Sequence, residues 1–248
     1  MHRFFISPEN WNRGAPTLAG SEAHHARDVL RMRVGERLVL FNGRGREITA
    51  EIVDLGSDEI GLRKLHEAET APLQCRIVLG QAIPKGKNMD LIVQKAVEIG
   101  AAEIAPIISD RTIVQINSES AAQKQSKWQQ IAVEAAKQCG QNWLPQVHPP
   151  RKLSEFLASE QSFDLQLIGS LQPGAQHLKK VLADYSSEYE HRPRTVLMLI
   201  GPEGDFTPAE LGLAHRHGCH PITLGPIILR VETAAIYCLS ILSHELLT

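Results

Sequence analysis

Cysteine is scarce in this chain. Cys75, Cys139, Cys219 and Cys238 are widely scattered among 248 residues and form no C-x-x-C pair. Neither a disulfide framework nor a zinc ribbon is suggested, and a reducing compartment suits these thiols. Long apolar runs are missing as well: no stretch approaches the roughly 18 residues of a membrane span. The opening Met1 to Pro8 also holds too short an apolar run for a signal-peptide core. The expectation is a cytoplasmic protein that nothing exports or anchors to a membrane. Neither G-x-G-x-x-G after a strand nor G-x-x-x-x-G-K-[ST] occurs, so ordinary dinucleotide and P-loop readings lose ground. His215, His217, Cys219 and His220 look like a metal cluster at first sight. Residues two apart on a helix point to different sides, however, and Gly218 interrupts the run, so no metal site is expected. Internal repeats and low-complexity tracts are absent too.

What is present is an ordinary globular composition, 43% apolar and long enough for a sizeable core. A net charge of −2 argues against coating nucleic acid along the whole chain but permits a local basic surface. From Met1 to Arg46 there are eight arginines (Arg3, Arg13, Arg27, Arg31, Arg33, Arg37, Arg44 and Arg46) and four acids (Glu9, Glu22, Asp28 and Glu36). Arginine's flat fork suits paired bonds to phosphate oxygens, so this surplus reads either as a phosphate-tracking surface or as a solvated face.

The first 70 residues read as short strands punctuated by glycines 35, 43, 45, 56 and 61: Arg37 to Gly43, then the alternating Glu47 to Val53. They predict a small barrel (residues 1–70), with His24 to Arg31 as one helix and Glu67 to Pro72 as linker. From Cys75 the rhythm changes to apolar runs alternating with helical patterns, which predicts an α/β domain (73–248) built on a mostly parallel, doubly covered sheet. Strands are expected at 77–82, 103–108, 164–169, 195–200 and 220–224. Gly100 and Gly140 sit where C-terminal helix caps belong.

One segment is especially informative: the run 196–210 is a buried strand, a tight Gly201-Pro202-Glu203-Gly204 loop and a helix start. Thr207, Pro208 and Glu210 form an N-cap, a first-turn proline and a capping box. The next strand also ends in Gly-Pro, at Gly225-Pro226, followed by Arg230 and Glu232. Loops at the carboxyl ends of parallel strands are where open α/β sheets bind ligands, so the two glycine loops predict one shared pocket. On charge alone, Arg230 and Glu232 read equally as a surface ion pair. Lys85 and Lys87 precede a helix and could meet phosphate or simply be solvated. Glu134 and Gln138 share a helix face, compatible with a polar pocket wall.

In order and spacing these segments resemble the RsmE family, the bacterial 16S ribosomal RNA (uracil-N3)-methyltransferases of the SPOUT class. The resemblance runs from end to end. It is carried by Arg3-Phe4-Phe5, His24-His25 with Val29-Leu30-Arg31, Lys95 to Gly100, Glu134 to Gly140, Gly201 to Gly204, and Leu224-Gly225 through Ile228-Leu229-Arg230 with Glu232-Thr233-Ala234. It implies an N-terminal PUA-like β-barrel that helps bind RNA, then a SPOUT α/β domain threaded into a trefoil knot. A homodimer acting on 16S ribosomal RNA in the small ribosomal subunit is also implied, with S-adenosyl-L-methionine as cofactor. The implied cofactor contacts are Leu171, Leu199, Ile200, Gly201, Pro202, Glu203, Gly204, Leu224, Gly225, Ile228, Leu229, Arg230 and Thr233. RNA is expected at Arg3, Arg27, Arg31, Lys85 and Lys87. The chain departs from the family pattern at Gln141 (commonly Arg), Asp205 (Gly), Ile227 (Arg) and Val231 (Thr); two lost arginines should weaken phosphate contacts, and the Asp205 carboxylate could repel RNA or alter the glycine loop.

Methyl transfer to uracil N3 needs in-line positioning and removal of the N3 proton. Arg230 is expected to stabilise the developing anion, and Glu203 or Glu232 to accept the proton or order the loops. The rival readings are a non-catalytic RNA-binding or ribosome-assembly protein on the same fold, and a SPOUT methyltransferase acting on transfer RNA or at a ribose 2′-oxygen.

Overall fold

The computed structural model describes residues 1–11, 14, 16–112, 117–159 and 162–247. Arg13 of the arginine surplus lies outside them. Two compact units result, one of Met1–Pro72 with Val133–Leu144 and one of Leu73–Ala132 with Pro145–Thr248.

The first unit is a curled, five-stranded sheet. Its strands are β1 (His2–Phe5), β2 (Thr17–Ala19), β3 (Arg37–Phe41), β4 (Arg46–Leu55) and β5 (Glu59–Glu69), in the order β1-β3-β4-β5-β2. Only β1 and β3 pair in parallel. The alternation read in β4 is the physical one: Ile48, Ala50 and Ile52 are fully buried in a core with Phe4, Leu38 and Leu40. Two expectations are corrected. Glu67–Glu69, read as linker, still belongs to β5, because β4 pairs with it as far as Arg46 opposite Glu69. The helix read at 24–31 instead begins as α1 (Gly20–His24) and continues as a π-helical turn over His25–Val29. It stops before Arg31, whose φ of 54° is left-handed.

Residues 133–144 group with this unit although they are distant in sequence. Their side chains supply the partners its acids need. Lys137, 8% exposed, bonds Glu22 and Glu134, each at 3.1 Å, and lies over the Phe4 ring. The Asn142 amide reaches Glu47 at 3.0 Å and Thr70 at 2.9 Å.

The second unit holds a parallel sheet. Its main strands are β6 (Arg76–Ala82), β7 (Glu103–Ile108), β10 (Leu165–Gly169), β12 (Thr195–Ile200) and β13 (His220–Thr223). Two-residue strands β8 (Gln146–Val147), β9 (Arg151–Lys152) and β11 (Gln176–His177) extend it. The order is β11-β13-β10-β12-β6-β7-β8, with β9 also on β7, and every pairing is parallel. Helices α2 (Asn88–Ile99), α3 (Ser118–Cys139), α4 (Leu153–Leu157), α5 (Leu178–Tyr189), α6 (Pro208–Arg216) and α7 (Val231–Leu246) complete the chain. Val78, Leu197 and Leu199 pack with α4 residues Leu153, Phe156 and Leu157 and with Phe206 and Ala214, while α2 packs on α7. Gly100, at φ 100°, ends α2, and Gly140, at φ 79°, follows α3, as a left-handed cap requires.

At the start of β7, Glu103 accepts from His148 at 2.7 Å and Arg76 at 2.6 Å. The His148 bond, aided by Arg76, outweighs burial and holds the Glu103 carboxyl at about 2, against an ordinary 4.5. Because the folded value is the lower one, the stabilisation is complete above about pH 4.5 and is lost as pH falls through about 2. It amounts to about 3 kcal/mol at neutral pH. In urea unfolding, the parent's advantage over Glu103→Gln should shrink by about half between pH 7 and pH 3; an advantage independent of pH would refute the assignment.

Candidate functional site

Three strand ends build the site. Strands β12 and β13 are successive among the main strands but not adjacent in space: β10 lies between them. The loops following β10, β12 and β13 therefore meet on one edge and enclose a cavity of about 400 Å³, within the range of small-molecule sites. The loop after β10 contributes Gly169, Ser170 and Leu171; the one after β12 runs through Gly201 to Asp205; the one after β13 runs from Leu224 to Arg230. The first turns of α2 and α7 add Asn88, Val231, Glu232 and Ala234.

The β12 loop has a fixed exit. Thr207 caps α6, its side chain accepting from Glu210 N–H while the Glu210 carboxylate accepts from Thr207 N–H at 2.9 Å. Behind this box, Gly204 (φ 84°) and Asp205 (φ 71°) are both left-handed, a conformation that favours glycine. At Gly201 a Cβ would lie 3.1 Å from Phe206 N and 3.2 Å from the Phe206 ring, so the chain passes too closely for a side chain to be added freely. At Gly225 (φ 112°) nothing lies within 4 Å of that position.

Of the three acids on the cavity wall, Glu203, Asp205 and Glu232, the two glutamates are held by the segment that leads from β6 into the first residue of α2. Glu203 Oε1 accepts from Lys85 N–H at 3.2 Å, and Glu232 Oε2 accepts from the Asn88 amide at 3.1 Å. Arg230 stands at the N-cap of α7, exposed, with no side-chain hydrogen bond or ion pair among the described residues. The Arg230–Glu232 surface ion pair is therefore not formed, and the guanidinium is available to a ligand.

The structure brings Leu171, Ile200, Gly201, Pro202, Glu203, Gly204, Leu224, Gly225, Ile228, Leu229, Arg230 and Glu232 to the cavity. Two of the expected positions, Leu199 and Thr233, are not among the lining residues. Leu199 is fully buried in the core because strand alternation turns it to the face opposite Ile200. Thr233 is exposed on α7 while its neighbours Val231, Glu232 and Ala234 line the cavity. Asn88, Ser170 and Thr223 also line the cavity; for Ser170, no sequence signal places β10 between β12 and β13.

Among the RNA candidates, Arg3 is turned inward: its guanidinium bonds Glu47 at 3.0 Å and Asn142, with a side chain 15% exposed. Arg27 is held by Asp28 and by the carbonyls of Gly56 and Ser57. Arg31, Lys85 and Lys87 are exposed. Glu134 pairs with Lys137 in the first unit and is not part of the cavity wall. Of the four unusual residues, Asp205, Ile227 and Val231 line the cavity and Gln141 follows the end of α3 in the first unit. The Asp205 carboxylate is engaged by two backbone donors, Leu171 N–H at 2.9 Å and Phe206 N–H at 2.7 Å.

Residues 71–243 match the model of an RNA methyltransferase domain, and 18–65 that of an RNA methyltransferase PUA domain. The chain is 29% identical over 251 residues to ribosomal RNA small subunit methyltransferase E of Bacillus subtilis, covering 99% of this chain and 97% of the relative. A methyltransferase from Legionella pneumophila, solved in complex with the cofactor SAM, superposes with a TM-score of 0.86 at 35% identity, covering 98% of this chain and 97% of its own. Ribosomal RNA small subunit methyltransferase E from Neisseria gonorrhoeae, bound to S-adenosyl methionine, gives 0.85 at 33% identity, covering 99% and 98%.

Proposed function

Because the chain belongs to the ribosomal RNA small subunit methyltransferase E family, we propose that it transfers a methyl group from S-adenosylmethionine to uracil N3 in the 16S RNA of the small ribosomal subunit. The observation that carries this reading is the cavity itself: glycine loops from β12 and β13, closed by the loop after β10, with Arg230 and the carboxylates of Glu203, Asp205 and Glu232 on its wall.

The residues present fit S-adenosylmethionine. The cavity has the volume of a nucleoside-sized site. The left-handed glycines let backbone N–H and C=O groups approach a ligand closely, and Glu203 and Glu232 complement a cationic donor. When bound, S-adenosylmethionine supplies an electrophilic methyl on a sulfonium. Arg230 binds the uracil carbonyl oxygens and stabilises the charge that develops as N3 loses its proton. A wall carboxylate, Glu203 or Glu232, takes that proton, and the segment from Lys85 to Asn88 keeps both acids in place. Leu171, Ile227 and Ile228, all exposed at the cavity, cover the reacting atoms and exclude water.

Arg31, Lys85 and Lys87 carry the phosphate contacts of this reading. A homodimer, a knotted C-terminal segment and a cytoplasmic location complete it; no helix among the described residues is long and apolar enough to cross a membrane. The unusual Asp205 does not favour a non-catalytic binder, since its carboxylate is engaged by loop N–H groups.

Labelled methyl transfer into small subunits lacking the modification, with naked ribosomal RNA and transfer RNA alongside, tests the proposal. The expected product by mass spectrometry is N3-methyluridine on the small subunit. Methylation of a ribose or of transfer RNA would overturn the assignment.

A further inference from the structure

We infer that Asp205, on the cavity wall, and Arg111, outside it, are positioning residues that hold the cofactor loop in its binding shape. The inference rests on the S-adenosylmethionine reading and adds a device to it. Asp205 occupies φ 71° next to Gly204 at 84°, a backbone state that disfavours any residue with a Cβ. What compensates is its carboxylate, which accepts from Phe206 N–H in its own loop and from Leu171 N–H in the loop after β10. One side chain therefore ties together two of the three loops that enclose the cavity.

The same loop is gripped from its other side by the segment after β7. The Arg111 guanidinium donates to the carbonyls of Gly204 and Asp205, and Asp110 N–H donates to Glu210 at 2.9 Å. Glu210 is 7% exposed and is the closing member of the α6 capping box. Neither Asp110 nor Arg111 lines the cavity. The exit of the β12 loop and the cap that follows it are thus fixed by a segment that does not line the cavity. The carbonyls held by Arg111 are turned towards the guanidinium, which sets the orientation of the intervening peptide planes in a loop whose backbone must serve a ligand.

Asp205→Gly sets strain against bonding, because it relieves the left-handed conformation and removes the carboxylate. We expect it to weaken S-adenosylmethionine binding roughly tenfold by calorimetry, the loss of two charge-assisted hydrogen bonds outweighing the relief. Asp205→Asn, which keeps one acceptor, should cost roughly threefold, and Arg111→Gln roughly fivefold. In steady state the KM for S-adenosylmethionine should rise while the KM for RNA and kcat stay within about twofold. Amide exchange at Leu171 should accelerate roughly tenfold in Asp205→Gly.

A merely structural role would lower the melting temperature while leaving cofactor affinity unchanged well below it. Asp205→Gly binding as tightly as the parent, with Leu171 exchange unaltered, overturns the proposal. A parent that binds no S-adenosylmethionine overturns the functional reading instead, and Leu171 exchange still decides whether the clasp exists.

Discussion

Arg230→Ala is expected to reduce methyl transfer by about two to three orders of magnitude while changing the Kd for S-adenosylmethionine by less than about threefold. Arg230 is the N-cap residue of α7, exposed at the cavity, and its side chain has no partner among the described residues. A cation left unpaired beside two held carboxylates is poised for charge that appears only during reaction. Its backbone carbonyl, which accepts from Ala234 N–H at 2.8 Å, survives the substitution, so α7 should start as before. Stopped transfer with normal cofactor titration supports this role; equal loss of both would sink it and make Arg230 a cofactor ligand.

Gly201→Val is expected to abolish measurable cofactor binding, and Gly201→Ala to weaken it about tenfold, the equivalent of about 1.4 kcal/mol. Gly201 needs no positive φ, so the cause is contact alone. A Cβ there meets Phe206 N at 3.1 Å, the Phe206 ring at 3.2 Å and an Asp205 carboxylate oxygen at 3.3 Å. Phe206 is 1% exposed and anchored in the core, so it cannot withdraw, and the loop must move into the cavity instead. Alanine asks for a shift of a few tenths of an ångström; branched valine asks for more than the turn can give. Unchanged affinity in the valine variant would show that the β12 loop does not shape the cofactor site.

Local chemistry was the legible part of this protein. The α6 cap at Thr207–Glu210, the glycine ends of α2 and α3, the alternation in β4 and the strand over 195–200 follow from residue-level rules about backbone donors, φ and side-chain period, and each is observed. Strand order was not legible. Nothing in 165–169 says that this strand inserts between β12 and β13, and so Ser170 and Asn88 joined the site only in three dimensions. The same limit hides the partners of two acids: Lys137 and Asn142 serve Glu22 and Glu47 across more than ninety residues. Asp205 is the instructive case. Its charge alone suggests repulsion of RNA, whereas its backbone geometry and two N–H partners make it a tie between loops.

If the methyl donor sits in the cavity bounded by the ends of β10, β12 and β13, a crystal structure of the protein with S-adenosylhomocysteine, the demethylated product, will show it there. Ligand density is expected against Ile200–Gly204 and Leu224–Leu229, with Leu171 over it and Arg230 beside it. Density at any other place, or none at a concentration that saturates binding in solution, would contradict it.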